Sequence, residues 1–422
     1  MDALAADIRA HLAGSPVSAR APSAGYLLSK VVARNKLAVG AAGLGLAGLL
    51  LGLGLSVWQG RQAAAARDEA SRQLASVKHI TTELVFRFGD VISTLPGGAA
   101  AQEAMLKQTV APLELALQTA PADADLIALV ASALGRLAQI QGNPTFSAPE
   151  RANEASATVA RALALADIVW PDKRGDWRFV TQHLITLLTR AQLLRGQGQP
   201  AEGLKVLALA AQRCDEALAE TLPDEGRANL LELRANVWVN MAHFNDHAGR
   251  PSLGQPQAAL LYYQRAETDF RALYGSPALA AAMNRQAVPG EPPADEWRNH
   301  NLANVLAGRA LVHQRLGNDE AMRQSAEAAL LLRQDNLRRN PRSVTWRQSL
   351  MFDSNTLAIA LLRLTEDAAA LTATQRSWDI AGELAREEGR AKRLRCQPRA
   401  VCAAIWPCAG GGGPACRGLA GL

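Results

Sequence analysis

Two histidines at helical spacing are the first candidates for metal chemistry. His243 and His247 lie one turn apart in the segment HFNDH, as the ligands of zinc-binding helices do. The segment lacks the glutamate of an H-E-x-x-H motif and has no obvious third ligand. A second cluster holds four of the five cysteines, but it contains neither a C-x-x-C pair nor a histidine; its members are Cys396, Cys402, Cys408 and Cys416. The sequence therefore predicts no metal site.

Catalytic motifs are also missing. The letters GLGLAG at 43–48 match G-x-G-x-x-G, but a phosphate-binding loop needs a preceding strand and water around the phosphates. Here the match lies inside an apolar helical stretch, so we interpret it as a coincidence. The A-P-E at 148–150 has no H-R-D or D-F-G before it and is typical of a helix N-terminus. No Ser/His/Asp or Cys/His set has a meaningful spacing, so no catalytic or cofactor-binding residue is predicted.

The positive charge is distributed unevenly. The chain has 45 Lys and Arg against 39 Asp and Glu, a net charge of +6. Six basic residues and no acid lie in 390–422, and a further net +3 lies in 1–36, which leaves 37–389 at −3. Because the body of the chain is mildly acidic, the basic balance does not favour nucleic acid as a partner.

An uncharged stretch of 24 residues at 37–60 predicts a transmembrane helix, since about 20 apolar residues cross a bilayer. Trp58 occupies the position of an interfacial aromatic residue, and Lys30, Arg34 and Lys36 favour a cytoplasmic N-terminus. A cleaved signal peptide is disfavoured because the leading segment and the apolar run are both too long. Gly48 and Gly52, one turn apart, are candidates for packing two such helices into a homodimer.

The rest of the chain reads as helices grouped in pairs. Glycine and proline breakers separate the helices, the Ala and Leu content favours helix, and no segment alternates as a strand would. The predicted pairs are 124–141 with 149–169, 176–196 with 200–221, 225–248 with 256–274, 295–316 with 319–339, and 343–364 with 366–389. Their loose period of about 50 residues is typical of an α-solenoid.

The second helices share a packing pattern of a small residue, a bulky one four positions on and a small one three further on. These spacings place the three side chains on one helix face, where small residues admit a neighbouring helix closely. The predicted repeat-packing residues are Ala155, Val159 and Ala162; Gly203, Leu207 and Ala210; and Ala259, Tyr263 and Ala266. With a glycine before several second helices, the pattern resembles the tetratricopeptide (TPR) repeat, although the units exceed 34 residues and lack most first-helix aromatics.

Residues 1–389 as a whole resemble the C-terminal half of bacterial transmembrane serine/threonine protein kinases that carry such repeats outside the membrane. The resemblance rests on MDALAADIRAHLAGSPVSAR (1–20), YLLSKVVARNK (26–36), VWQGRQAAAARDEA (57–70), LVFRFGDVISTLPGG (84–98) and LGRLAQIQGNP (134–144). It implies a kinase remnant or truncated gene product, because the ATP-binding and catalytic motifs of that family are missing and only 36 residues precede the apolar stretch.

The expected organisation follows from these observations. We expect an all-α chain with a single transmembrane helix and a TPR-like α-solenoid of about five helical hairpins. The predicted segments are a kinase remnant and basic juxtamembrane stretch at 1–36, the span at 37–60, a juxtamembrane helical region at 61–123, repeats at 124–389, and an irregular Cys/Gly/Arg-rich tail at 390–422. We interpret the tail as a frameshift product; an unstructured basic tail is the alternative.

The expected function is a non-catalytic sensor or binding region that holds a protein or peptide in the groove of the repeats. We expect a single-pass protein of the bacterial inner membrane with the repeats on the periplasmic side, no cofactor and no nucleic-acid partner. One alternative is a functional kinase whose ATP-binding domain is missing from this sequence. The other is a stand-alone TPR adaptor in the cell envelope.

Overall fold

The computed structural model describes residues 2–13, 36–82, 98–142, 151–285 and 294–387, with single residues at 23, 25 and 32. Within these residues every regular element is an α-helix and no strand occurs, which confirms the all-α class. The chain divides into two compact units, 1–79 and 80–422, which are described separately. The predicted frameshifted tail at 390–422 and the block at 84–97 lie outside the described residues.

The first unit contains α1 (Asp2–Leu12) and most of α2 (Lys36–Thr82), a continuous helix of 47 residues. The predicted transmembrane helix at 37–60 lies in α2. Among the described residues, however, no helix combines the length and apolar character needed to cross a membrane, so the predicted span is wrong. Glycine and alanine, which offer little apolar surface, supply 11 of the 24 residues of the stretch. The predicted single-pass inner-membrane localisation is wrong for the same reason.

The second unit contains the helices that follow α2. They are α3 (Gly98–Thr119), α4 (Ala124–Gln141), α5 (Ala152–Lys173), α6 (Trp177–Gly196), α7 (Pro200–Leu218), α8 (Asp224–Asn245), α9 (Pro256–Gly275), α10 (Pro277–Arg285), α11 (Ala294–Leu316), α12 (Asp319–Arg339), α13 (Val344–Arg363) and α14 (Asp367–Glu387). Helices pack in pairs, α4 with α5, α6 with α7, α8 with α9, α11 with α12 and α13 with α14. The ends of the ten helices lie within four residues of the ranges expected from the breakers.

Most successive pairs stack through their first helices. Helix α6 contacts both α4 and α8, and α11 contacts α13, while each second helix packs on the first helix of the following pair. Contacts therefore run from each pair to the next along the chain, which is the nearest-neighbour arrangement of a helical repeat protein. The short α10 packs on α8 through a small apolar cluster that includes Leu279 and Ala282.

The turns inside three pairs have the same backbone geometry. Gly198 and Gly317 adopt left-handed φ values of 78° and 72°, and Thr365 occupies the matching turn with a φ of 60°. After each of them, the next backbone N–H bonds a carbonyl five residues earlier: Gln199 to Leu194, Asn318 to His313 and Glu366 to Leu361. This is the Schellman ending of a helix, in which glycine normally supplies the left-handed residue.

Helix α3, which precedes the first predicted pair, occupies the position of a second helix in the same stack. Arg151 bonds Glu103 and Arg161 bonds Glu114, so α3 and the α5 region are joined by ion pairs 48 and 47 residues apart. A similar spacing recurs between α5 and α7, where the Trp170 indole donates to Glu216 across 46 residues. Among the described residues, the stack therefore begins at α3 rather than at α4.

Candidate interaction surface

The predicted repeat-packing residues all lie in the contacts between helices. Ala155, Val159, Ala162, Leu207, Ala210, Ala259, Tyr263 and Ala266 are each at most 2% exposed, and Gly203 is buried as well. A Cβ at Gly203 would collide with the ring of Phe244 from α8. A Cβ at Gly308 would likewise collide with the Tyr263 ring. At these positions the small residue is required because an aromatic side chain of the neighbouring helix occupies the space.

Gly48 and Gly52 lie in α2. A Cβ placed on either glycine would meet no atom of the described chain within 4 Å. Both positions therefore have room for a second helix. The dimer was predicted for a membrane-spanning helix, however, and no described helix could cross a membrane. Dimerisation through these residues stays a prediction.

His243 lies in the last turn of α8, whereas His247 lies in the loop that follows; their rings are perpendicular, with centroids 5.2 Å apart. Burial, with neighbouring cationic groups, lowers the pKa of His243 to about 3. The described residues contain no group of three or more His, Cys, Asp or Glu side chains arranged to hold a metal ion. Cys214 is buried in α7, where desolvation raises the pKa of its thiol to about 12, so the thiol is unreactive.

Tryptophan side chains join neighbouring helices through their indole N–H groups. Trp238 donates to Asp269 of α9 at 3.0 Å, and Trp346 of α13 donates to Glu296 of α11 at 2.8 Å. Trp170 makes the equivalent bond to Glu216 at 2.8 Å. Because each indole is committed to a carboxylate within the stack, these tryptophans are structural rather than ligand-stacking residues.

A buried polar network joins α11, α12 and α13. Arg333 is 3% exposed; its Nε donates to Asp353 at 2.9 Å and its Nη2 donates to Asn304 at 2.6 Å. Its Nη1 lies 2.8 Å from His300 Nδ1, and burial together with this guanidinium lowers the pKa of His300 to about 4. Burial raises the pKa of Asp353, opposed by Arg333. Every donor nitrogen of the guanidinium is used within the protein, so the network is structural.

Half-buried polar side chains on the first helices bond across neighbouring repeats. The Thr181 hydroxyl of α6 lies 2.7 Å from Asn229 Oδ1 of α8, and Gln192 of α6 bonds Asn240 of α8 at 2.5 Å. Both bonds span 48 residues, and the two pairs are separated by 11 residues, or three helical turns, on one face. We call Thr181, Gln192, Asn229 and Asn240 the amide ladder; all four residues are half-buried.

The amide ladder continues toward the next first helix. Asn301 of α11 donates to Glu232 of α8 at 3.2 Å and to the Tyr274 hydroxyl at 3.0 Å. The Thr181 hydroxyl is shared between Asn229 Oδ1 and the Trp177 carbonyl, each 2.7 Å away. Asn240 donates its Nδ2 to the Asn236 carbonyl at 2.8 Å, which fixes the orientation of the amide. The first helices therefore present neutral donors and acceptors whose positions are already set by bonds between repeats.

The opposite side of the stack carries grooves between successive second helices. A groove of about 910 Å³ lies between α12 and α14 and is lined by apolar residues such as Leu337, Leu350 and Leu371 with polar residues between them. A smaller groove of about 480 Å³ lies between α5 and α7. Both grooves are open, and none of their described lining residues has a buried side-chain atom without a hydrogen-bond partner. We therefore take the amide ladder, whose side chains are held by bonds between repeats, as the better-defined candidate surface.

Sequence reasoning missed the amide ladder. Asn, Gln and Thr are common on helix surfaces, and none of the four residues belongs to a recognised motif. The available signal was their recurrence, because Thr181 and Asn229 are 48 residues apart, as are Gln192 and Asn240. That signal becomes visible only when helices α6 and α8 are aligned by their packing.

Comparison with known proteins adds no family assignment. No family model matches the chain, and no curated protein matches it.

Proposed function

We propose that the chain is a binding protein whose first helices hold an extended protein segment along the amide ladder. The repeated helical stack, with its buried small residues and left-handed glycine turns, supports a TPR-like architecture for residues 98–387. The proposed function contains no catalytic step, in keeping with the absence of a kinase, nucleophile or metal motif in the sequence.

The observation that carries this proposal is the register of the amide ladder. Primary amides and hydroxyls bond both the N–H and the C=O groups of a peptide backbone, so they suit a ligand that has lost its own secondary structure. The bonds from Thr181 to Asn229 and between Gln192 and Asn240 fix these side chains before a ligand arrives. Such preorganisation lowers the entropic cost of binding.

The relation to transmembrane serine/threonine kinases remains a proposal. If it is correct, the nucleotide sequence before this gene should encode, in frame or as a remnant, the catalytic motifs that the chain lacks. Finding unrelated coding sequence there would leave the repeats as a stand-alone adaptor. Either outcome is compatible with segment binding by the first helices.

The binding proposal is tested with peptides selected from a displayed random library against the purified full chain. The double variant Asn229→Ala with Asn240→Ala should raise the dissociation constant of the selected peptides by about thirtyfold, because each lost hydrogen-bonding side chain contributes about 1 kcal/mol to binding. Calorimetric titration measures the dissociation constants, and thermal unfolding verifies that the variant is folded.

The matched control removes two polar side chains from second helices. Gln212 lies on α7 and Thr268 on α9, and both are exposed. The double variant Gln212→Ala with Thr268→Ala should bind as the unmodified chain does. If the selected peptides bind the amide-ladder variant as tightly as the unmodified chain, or if the selection yields no binder, the proposed function is wrong.

A further inference from the structure

A cluster of basic side chains surrounds the C-terminal ends of α6 and α8. Arg195 lies in the last turn of α6, Arg250 in the loop after α8, and Arg315 in the last turn of α11. Arg195 and Arg250 are close enough to repel each other electrostatically. Arg315 is neutralised by Asp246 through a bond of 2.6 Å. Within the described chain no carboxylate pairs with Arg195 or Arg250.

Arg195 is 4% exposed and incompletely bonded. Its Nη2 donates to the neutral Gln192 Oε1 at 2.6 Å, and the guanidinium lies 4.7 Å from the centre of the Phe244 ring. Its Nη1 is shielded from solvent and has no hydrogen-bond partner. A buried cation without a counter-ion is costly, because its charge and its donors are both removed from water. Burial and Arg250 accordingly lower the pKa of Arg195.

His243 and His247 lie close enough to the same basic cluster for its charges to lower their pKa values. Burial lowers the pKa of His247, a hydrogen bond with the Ala248 backbone opposes this shift, and the guanidinium groups of Arg195, Arg250 and Arg315 add to it. The Nδ1 of His247 is buried and bonds no described residue. Together with Arg195 Nη1, it gives this corner of the stack two unpartnered polar nitrogens and an excess of positive charge.

We propose that this corner binds an oxyanionic group, a carboxylate or a phosphate, that belongs to the segment held by the amide ladder. Arg195 donates to Gln192, which is itself bonded to Asn240, so the basic cluster adjoins one end of the ladder. A planar guanidinium with a free N–H edge matches the paired oxygens of either group. The identity of the larger ligand rests on the proposed function, whereas anion binding itself does not.

The test uses the full chain at pH 7 and constant ionic strength, with chloride replaced by acetate or by inorganic phosphate. A saturable rise in the midpoint of thermal unfolding is expected with at least one of the two anions, and the anion that is effective identifies the source chemistry. Arg250→Gln should weaken this apparent affinity by about tenfold, the equivalent of one charge-assisted hydrogen bond. Arg250 is exposed, so this variant should fold normally.

The control is Arg190→Gln, which removes an exposed charge on α6 from the groove between α5 and α7. It should leave the anion response unchanged, whereas Arg195→Gln should abolish it. No saturable effect of either anion, or an equal effect in Arg250→Gln, overturns the inference. The anion test contains no peptide, so a negative result would not bear on peptide binding. A negative peptide result would likewise leave the anion result valid.

Discussion

His183 shows how a single side chain is committed to the stack. Its ring stacks on Phe179 and is tilted against Trp170, and its Nε2 lies 2.7 Å from Nη1 of Arg213. Because a guanidinium only donates, this contact requires the imidazole to be neutral and to accept at Nε2. Burial and Arg213 lower the pKa of His183 to about 3.

The lowered pKa of His183 predicts acid destabilisation. Below pH 6.5 the unfolded chain takes up a proton at His183 and the folded chain does not. The free energy of unfolding therefore decreases as the pH is lowered, until the pH reaches the folded pKa of about 3. Between pH 7 and pH 5 this histidine should cost about 2 kcal/mol of unfolding free energy. His243, also with a pKa of about 3, should cost a similar amount.

The variant His183→Gln isolates this contribution, since glutamine keeps an acceptor but does not titrate. Urea unfolding at pH 7 and pH 5 should show a loss that is smaller than that of the unmodified chain by about 2 kcal/mol. An identical loss in the two proteins would show that the imidazole is not held neutral in the fold.

At the scale of the helices, the turn between α13 and α14 carries backbone strain that the matching turns avoid. Thr365 adopts a φ of 60° at the position where the matching turns have glycine, and its hydroxyl bonds the preceding carbonyl of Leu364 at 2.6 Å. A β-branched residue is strained in the left-handed region, by about 1–2 kcal/mol. The Schellman hydrogen bond from Glu366 to Leu361 nevertheless forms.

Thr365→Gly should therefore stabilise the protein by about 1 kcal/mol, after the greater freedom of glycine in the unfolded chain is subtracted. The unfolding midpoint in urea should rise. The reverse change at the matching position, Gly317→Thr, should lower it by a similar or larger amount. A lower midpoint for Thr365→Gly would mean that the hydroxyl bond outweighs the backbone strain.

The ends of the helices were predictable because the glycine and proline residues that terminate them are local signals in the sequence. The GQGQP at 196–200 ends α6 and begins α7, and Gly317 ends α11, so breakers alone place these helices correctly. The partners of those helices were harder to predict. That α3 belongs to the stack depends on ion pairs such as Arg161 with Glu114, which form across 47 residues and have no local signature.

At the scale of the whole chain, the apolar stretch at 37–60 misled the sequence interpretation. The absence of charge suggested a span, but no described helix meets the requirements for crossing a membrane. In contrast, the period of about 50 residues found in the sequence matches the spacing of hydrogen bonds between repeats in the structure. It appears as bonds at 46 to 48 residues, from Trp170 to Glu216 and from Thr181 to Asn229.

The repeat register also explains why polar side chains of neighbouring repeats bond to one another on the first helices. First helices α4, α6 and α8 contact one another in succession, and α11 contacts α13. Their polar side chains therefore meet, as Thr181 and Asn229 do. Second helices are separated by grooves and are bridged by long charged side chains instead, such as Arg213 with Asp167. A ligand that follows the amide ladder would contact several repeats at once.

The most direct test of this account is to locate a bound peptide by photo-crosslinking. A selected peptide that carries a benzoylphenylalanine at its centre is irradiated with the full chain, and the crosslinked tryptic fragments are identified by mass spectrometry. The account predicts crosslinks to Trp177–Gly196 and Asp224–Asn245, the helices of the amide ladder. Crosslinks confined to Pro200–Leu218 or Pro256–Gly275, on the second helices, would contradict it.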